Sequence, residues 1–327
     1  MSYTHLSREE RQSIHRWRVE GRTLGEIASL LVRARSTIYR EMRRNACGPN
    51  SYVAARAHTK YRRRIRWKRR RPKSDDKVMM KMVDRRLARF WSPEQIAKRL
   101  RLPVCPSSPI RWISFSTIYR YIEDMEQCGG VLHTFLRRHG NLRPKRYGSG
   151  PDGRGRIADK VSIDDRPAIV EEQIRVGDWE SDTLHGPGRK GSVATFVDRM
   201  SLYTLALWMP DNTTQSLVAA AKECFKRIPH MARLTMTVDN GPEFRNHKAL
   251  SEAIKIPVYF AHPYSPWQRA INENTNGLLR QFIPKKQPLN TVTSDQVRYA
   301  INELNHRPRK KLGFRTPHEV FWAACCT

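Results

Sequence analysis

The sequence contains no apolar run near the ~20 residues a helix needs to cross a membrane. Its opening, Met1-Ser2-Tyr3-Thr4-His5, lacks the apolar stretch of an export signal. Both absences lead us to expect a cytoplasmic protein. Cysteine is scarce: six residues (47, 105, 128, 224, 325, 326) are scattered without a C-x-x-C pair or nearby histidine spacing. That excludes a structural zinc or disulfide framework and leaves reduced, mostly buried thiols as the expectation. With 17 Gly and 20 Pro in 327 residues, the chain is neither collagen-like nor low-complexity. Acid is in short supply, 31 Asp and Glu against 61 Lys and Arg, a formal charge of +30. Such a surplus opposes compaction unless a polyanion offsets it, so nucleic acid is the first candidate partner and an anionic membrane surface the second.

The charge that is present is unevenly placed. Residues 1–150 carry 36 basic and 12 acidic side chains, and residues 151–327 carry 25 and 19. One half thus reads as a grip for polyanion, the other as a domain that keeps its acids.

The first segment, 1–54, reads as three short helices. Ser7 with Glu10 and Thr23 with Glu26 have capping-box spacing, and a third helix begins near Ser36. Two short helices and a brief turn, the second rich in arginine, suit a helix-turn-helix. Arg35, Ser36, Thr37 and Arg40 then face base edges and phosphates, with Arg43 and Arg44 behind them; a basic three-helix bundle without groove contact is the plainer alternative. The pentapeptide Ser36-Thr37-Ile38-Tyr39-Arg40 recurs as Ser116-Thr117-Ile118-Tyr119-Arg120, and Ser92 with Pro93 caps a helix upstream of the second copy. A second helix-turn-helix over 91–145 is therefore expected, presenting Ser116, Thr117 and Arg120. Between the two lies a basic arm or linker, 55–90. Its core, Tyr61 to Arg71, holds seven Arg and one Lys, and Arg62, Arg63, Arg64, Arg66, Lys68, Arg69 and Arg70 are candidate phosphate contacts. A solvated basic helix is the alternative.

Glycines at 148, 150, 153 and 155 mark a linker over 146–175. Beyond it, five candidate strands (178–184, 192–198, 203–208, 234–238, 258–261) precede or alternate with helices at 214–227, 243–254, 266–282 and 294–304. This pattern predicts an α/β domain with a mixed five-stranded sheet over 176–310, followed by a tail, 311–327. Three acidic clusters fall near the strand ends or on a crossing helix: Asp178-Trp179-Glu180-Ser181-Asp182, Asp239-Asn240-Gly241, and Asn272-Glu273-Asn274. Carboxylates from two strands and one helix could form a cage for hard cations such as Mg²⁺. Taken singly, Asp239-Asn240-Gly241 is a turn signal, Asp178, Glu180 and Asp182 share a strand face, and Glu273 suits a solvated helix. Arg269, Glu273, Asn276, Gly277 and Arg280 share one helix face, which makes the two arginines candidate phosphate binders and leaves room at Gly277 for a DNA backbone.

These blocks resemble the DDE transposases of bacterial insertion sequences, most closely the IS-thirty type. The likeness rests on Ser36-Thr37-Ile38-Tyr39-Arg40-Glu41-Met42-Arg43-Arg44-Asn45, Trp179-Glu180-Ser181-Asp182, Val238-Asp239-Asn240-Gly241 and the run from Pro263 to Leu278. A tail of Asn305-His306-Arg307-Pro308 with Thr316-Pro317 also fits, and 33 residues separate Asp239 from Glu273. The resemblance implies an RNase H-like core that cuts and joins DNA with two Mg²⁺ ions, Mn²⁺ substituting. It makes Asp182, Asp239 and Glu273 the catalytic metal ligands, with Glu180 and Asp178 as alternatives to Asp182. It also implies binding to terminal inverted repeats and target DNA, a dimer or larger homo-oligomer on DNA, and a location in the bacterial cytoplasm at the nucleoid. A non-enzymatic DNA-binding regulator descended from an inactivated transposase is the alternative function.

Overall fold

Capping chemistry sets the first helices where the sequence places them. Ser7 and Glu10 exchange side-chain and backbone hydrogen bonds to open α1 (Arg8–Val19), and Thr23 with Glu26 opens α2 (Leu24–Leu30) in the same way. Helix α3 (Arg35–Asn45) follows. Ile14, Ile27 and Ile38, all fully buried, form the shared core with Leu6 and Tyr52. The coordinates are a computed structural model in which residues 5–45, 51–68, 73–102, 112–137, 157–263 and 265–326 are described. The chain divides into two units, Met1–Asp75 and Asp76–Thr327.

The stretch 55–90, expected as an arm or linker, carries two helices instead. In α4 (Ala54–Lys68) Ala57 is fully buried, and the Arg11 guanidinium lies 4.3 Å from the centre of the Tyr61 ring, so the helix packs on α1. Apolar positions ahead of the arginines nucleate the helix, and the charged run continues it. Helix α5 (Lys77–Leu87) belongs to the second unit. It packs with α6 (Pro93–Arg99) and α7 (Phe115–Gln127) around Val83, Leu87, Ile96, Ile118 and Ile122. The Ser92 capping box with Pro93 in the first turn opens α6, as its sequence predicts.

After the short α8 (Ile169–Glu172), five strands form one sheet: β1 (Asp178–His185), β2 (Ser192–Asp198), β3 (Thr204–Met209), β4 (Thr235–Val238) and β5 (Val258–Phe260). The order is β3-β2-β1-β4-β5, antiparallel from β1 through β3 and parallel from β1 through β5, the mixed sheet expected. One face packs on α9 (Thr214–Phe225), α10 (His247–Ile254) and α13 (Pro317–Cys325) around Trp179, Phe196, Phe225 and Phe321. The other packs on α11 (Ala270–Leu279) and α12 (Ser294–Asn305) around Leu184, Val193, Leu279 and Leu304.

Two further expectations change. The segment 311–327 is no loose tail, because Phe321 is fully buried with its ring 5.7 Å from that of Trp179. The thiols are free but not buried among the described cysteines: Cys128 and Cys326 are exposed, and Cys224 and Cys325 are partly covered. Cys47, Cys105 and residues 146–156 of the expected linker lie outside the described residues; the remainder of that linker includes a β-bridge between Ser162 and Phe260.

Candidate active site

Strand alternation divides β1 between two jobs. Trp179 points into the aromatic core, its Nε1 donating to Ala232 O at 2.9 Å, and fixes the strand in place. Asp178, Glu180 and Asp182 point the other way, toward α11. Each acid meets a different neighbour. Asp178 accepts from Arg175 and Thr235, both at 2.8 Å. Glu180, 1% exposed, accepts from the equally buried Arg199 at 2.8 Å and from the Asn272 N–H at 2.8 Å. Burial raises its pKa against the pull of Arg199. Glu180 therefore anchors the start of α11 to β1.

The sheet register brings the second acid to Asp182. Parallel pairing sets Asp178 beside Thr235 and Glu180 beside Thr237, so the same offset continued two residues sets Asp182 beside Asp239, just past the end of β4. The Asp239 turn is held from several sides. Asp239 Oδ1 accepts the Gly241 N–H at 2.9 Å, and Asn240 bonds Ala261 O at 2.8 Å and Lys160 at 3.0 Å. The turn reading of this tripeptide and its place at the site are thus both realised. A Cβ on Gly241 would stand 2.6 Å from Glu243 Oε2 and 2.8 Å from Asp239 Oδ1, so a larger residue there would displace these carboxylates.

Arg269, just before α11, joins the two aspartates: Nη1 lies 3.5 Å from Asp182 Oδ1 and Nη2 3.3 Å from Asp239 Oδ2. Asn276 donates to Asp182 Oδ2 at 3.0 Å. Burial pushes the Asp182 pKa up to about 6; Arg269 opposes this, while Asp239 and Glu243 add to it. Glu243 is itself buried and accepts from the Thr183 hydroxyl.

Glu273 stands apart. It lies on α11, four residues after Arg269 and three before Asn276, yet its side chain is exposed. Among the described residues, no three His, Cys, Asp or Glu side chains come close enough to hold a metal ion. The donor chemistry nevertheless fits a hard divalent cation at two points, Asp182 and Asp239, whose carboxylates already converge on one positive group.

The DNA-facing expectations map onto exposed surfaces. On α3, Arg35, Ser36, Arg40, Arg43 and Arg44 are exposed and Thr37 half-buried. The repeat on α7 matches residue for residue: Ser116 and Arg120 are exposed, Thr117 is half-buried, and Ile118, like Ile38, is fully buried. Arg62 and Arg63 are exposed, whereas Arg64 turns inward to Asn45 Oδ1 at 3.1 Å. The side chains of Arg66 and Lys68, and residues Arg69 and Arg70, lie outside the described set. Arg280 is partly buried and donates to His185 O at 2.6 Å. The sequence reading placed Asn276 on the face of Glu273 without giving it a role, and it missed Glu243 and the bonds that tie Glu180 to Arg199 and Asn272. Their helical and turn spacings from Glu273 and Asp239 were the available signal.

Comparison with known proteins places this geometry. A helix-turn-helix domain family matches residues 2–45, and the integrase core domain family matches residues 174–266. The chain is 38% identical to the transposase for insertion sequence element IS4351 of Bacteroides fragilis, over 97% of this chain and 95% of that one. It is 37% identical to the transposase for IS1086 of Cupriavidus metallidurans, over 97% and 94%. With transposase InsI for IS30C of Escherichia coli it shares 35% identity over 97% and 83%. The helix-turn-helix stands at the amino terminus, and the five-stranded mixed sheet forms the RNase H-like, integrase-type core. No helix among the described residues is long and apolar enough to cross a membrane. The chain belongs to the insertion-sequence transposases of the IS-thirty type.

Proposed function

We propose that this transposase binds the terminal inverted repeats of its insertion sequence, cleaves the DNA strand there and joins the freed end to target DNA, with Asp182, Asp239 and Glu273 as its metal ligands. The observation that carries this reading is the convergence of Asp182 and Asp239, in adjacent register on two parallel strands, upon one cationic group. Glu273 belongs with them because Arg269, just before its helix, and Asn276, on that helix, both touch the aspartates. Bound at this site, a pair of divalent ions, Mg²⁺ or Mn²⁺, supplies Lewis-acid stabilisation of the attacking and leaving oxygens of a phosphodiester.

The chain's own groups do the rest. Asn276 fixes the orientation of Asp182 by holding one carboxylate oxygen. Glu180 and Asn272 lock α11 against β1, so the helix carrying Glu273 keeps its place. The Arg269 fork matches a phosphate as well as a carboxylate, so the group that bridges the aspartates is also suited to a DNA phosphate beside them. The exposed faces of α3 and α7, with Arg62 and Arg63 on α4, supply the DNA grip, and the protein works in the cytoplasm as a dimer or larger assembly that pairs two element ends.

The test is a cleavage and strand-transfer assay on DNA carrying the element's ends, with Mg²⁺ or Mn²⁺. Wild type forms joined product and Asp239→Ala forms none while still binding DNA. Wild-type protein that binds the ends without cutting them is instead a DNA-binding regulator.

A further inference from the structure

A cleft of about 530 Å³ opens where the three-helix group α5–α7 meets the far end of α11. Phe90, Phe135, Arg137, Gly277 and Arg280 line it. The groups on either side are tied together: Arg89 bonds Glu303 at 2.7 Å, Gln95 bonds Pro308 O at 2.7 Å, and Arg99 pairs with Glu319. The cleft is thus a built feature of the second unit rather than a gap between loose parts.

Its charge is unbalanced. Arg280 uses Nη2 on His185 O, while its Nη1 is buried without a hydrogen-bond partner. Arg137 lies across α11, its Nη2 3.3 Å from where a Cβ on Gly277 would stand. Behind them Arg307 and Arg309 are buried and bond neutral oxygens of Gln95, Gln281 and Leu304. Among the described residues no carboxylate pairs with any of these four arginines. Burial, then mutual repulsion, pulls Arg307 down to about 9 and Arg309 to about 10. Several guanidiniums gathered without a counter-charge, two of them (Arg280 and Arg309) holding an idle buried N–H, form a site that an anion completes.

We propose that this cleft seats one backbone phosphate of the bound DNA, gripped jointly by Arg137 and Arg280. The inference rests on the DNA-cutting function proposed above and extends it to a second contact. Arg280 follows Glu273 by seven residues, roughly 10 Å along a helix. At ~3.4 Å of rise per nucleotide, the seated phosphate lies about three nucleotides from the one being cut. The missing side chain of Gly277 lets Arg137 reach the helix surface between them. Because Arg137 comes from the α5–α7 side and Arg280 from the catalytic helix, the same phosphate joins the DNA grip to the cutting site.

The test measures DNA affinity of the full chain in EDTA, by fluorescence anisotropy on a duplex of mixed sequence, as salt is raised. Each phosphate contact contributes about 0.9 to the slope of log affinity against log salt. The double variant Arg137→Ala/Arg280→Ala lowers the slope by about 0.9, and each single variant by part of that, because one phosphate is shared and the remaining guanidinium still holds it. Arg137→Lys keeps the slope. Thermal melting checks that Arg280→Ala folds, and the exposed Arg137 carries the test should it not. A double variant that loses twice as much, or one whose slope is unchanged, overturns the clamp. Catalysis plays no part in this readout, so a chain that cannot cut DNA but shows the shared loss keeps the clamp and loses the proposed function. An active chain with unchanged slopes does the reverse.

Discussion

Arg269 occupies the space between Asp182 and Asp239, within 3.5 Å of one carboxylate and 3.3 Å of the other. A guanidinium there does for the two aspartates what a metal ion does, offsetting their mutual repulsion. Arg269→Ala is expected to destabilise the metal-free protein by about 1–3 kcal/mol, since two partly buried carboxylates lose their partner. Added Mg²⁺ should then raise the melting temperature of the variant more than that of wild type. Equal Mg²⁺ responses would show that Arg269 does not stand where the ion binds.

The Glu180–Arg199 pair predicts a larger loss. Both side chains are almost wholly buried, and breaking such a pair from one side typically costs about 3–5 kcal/mol because the other charge is stranded. Arg199→Ala should fall in that range by denaturant unfolding. Glu180→Gln, which removes the charge but keeps an acceptor for the Asn272 N–H, should cost less.

Asp198 gives the pH prediction. It is fully buried, accepts from the Gly177 N–H and from Ser201, and burial pushes its pKa up to about 6. A carboxyl whose folded pKa is raised favours folding while protonated, fully so below pH 3.8, and loses that contribution as pH rises through 6. Asp198→Asn does not titrate. Its stability relative to wild type should improve by about 3 kcal/mol between pH 3 and pH 8. A difference that stays flat with pH would mean that folding leaves the Asp198 pKa unshifted, and one that moves the other way would mean that folding lowers it.

The internal repeat yields a paired prediction. Arg40 and Arg120 hold equivalent exposed positions on α3 and α7. Each alanine variant should weaken DNA binding and lower the salt slope by about 0.9. An unchanged slope for Arg120→Ala alone would leave α3 as the single reading helix.

How much of this was visible beforehand follows from the range of the interactions involved. Ser192–Asp198 is read from sequence to the residue, because alternation and flanking turns are local signals. The capping boxes at Ser7, Thr23 and Ser92 are equally local. Helix α10 begins later than its pattern suggests: Gly241 and Pro242 hold Glu243 and Phe244 in a 3₁₀ turn, and Asn246 caps the helix by accepting from Ala249 N–H. The sequence offers a helix in the basic stretch only as a solvated alternative, because the burial of Ala57 against α1 is a tertiary contact that charge counting does not see. At the site, the three acids are nameable from their motifs. That Asp182 stands beside Asp239 depends on strand pairing across more than fifty residues, which no local pattern encodes. The same is true of Glu180, whose bonds to Arg199 and Asn272 depend on residues arriving from elsewhere in the chain.

The central claim is that Asp182 and Asp239 hold the catalytic ions, and ligand softness tests it most directly. Thiolates bind Mg²⁺ poorly and softer ions better. Strand transfer by Asp182→Cys and Asp239→Cys should therefore be abolished in Mg²⁺ and partly restored in Mn²⁺, with wild type active in both. Undiminished activity of either variant in Mg²⁺, or a loss in correctly folded protein that Mn²⁺ does not relieve, would contradict it.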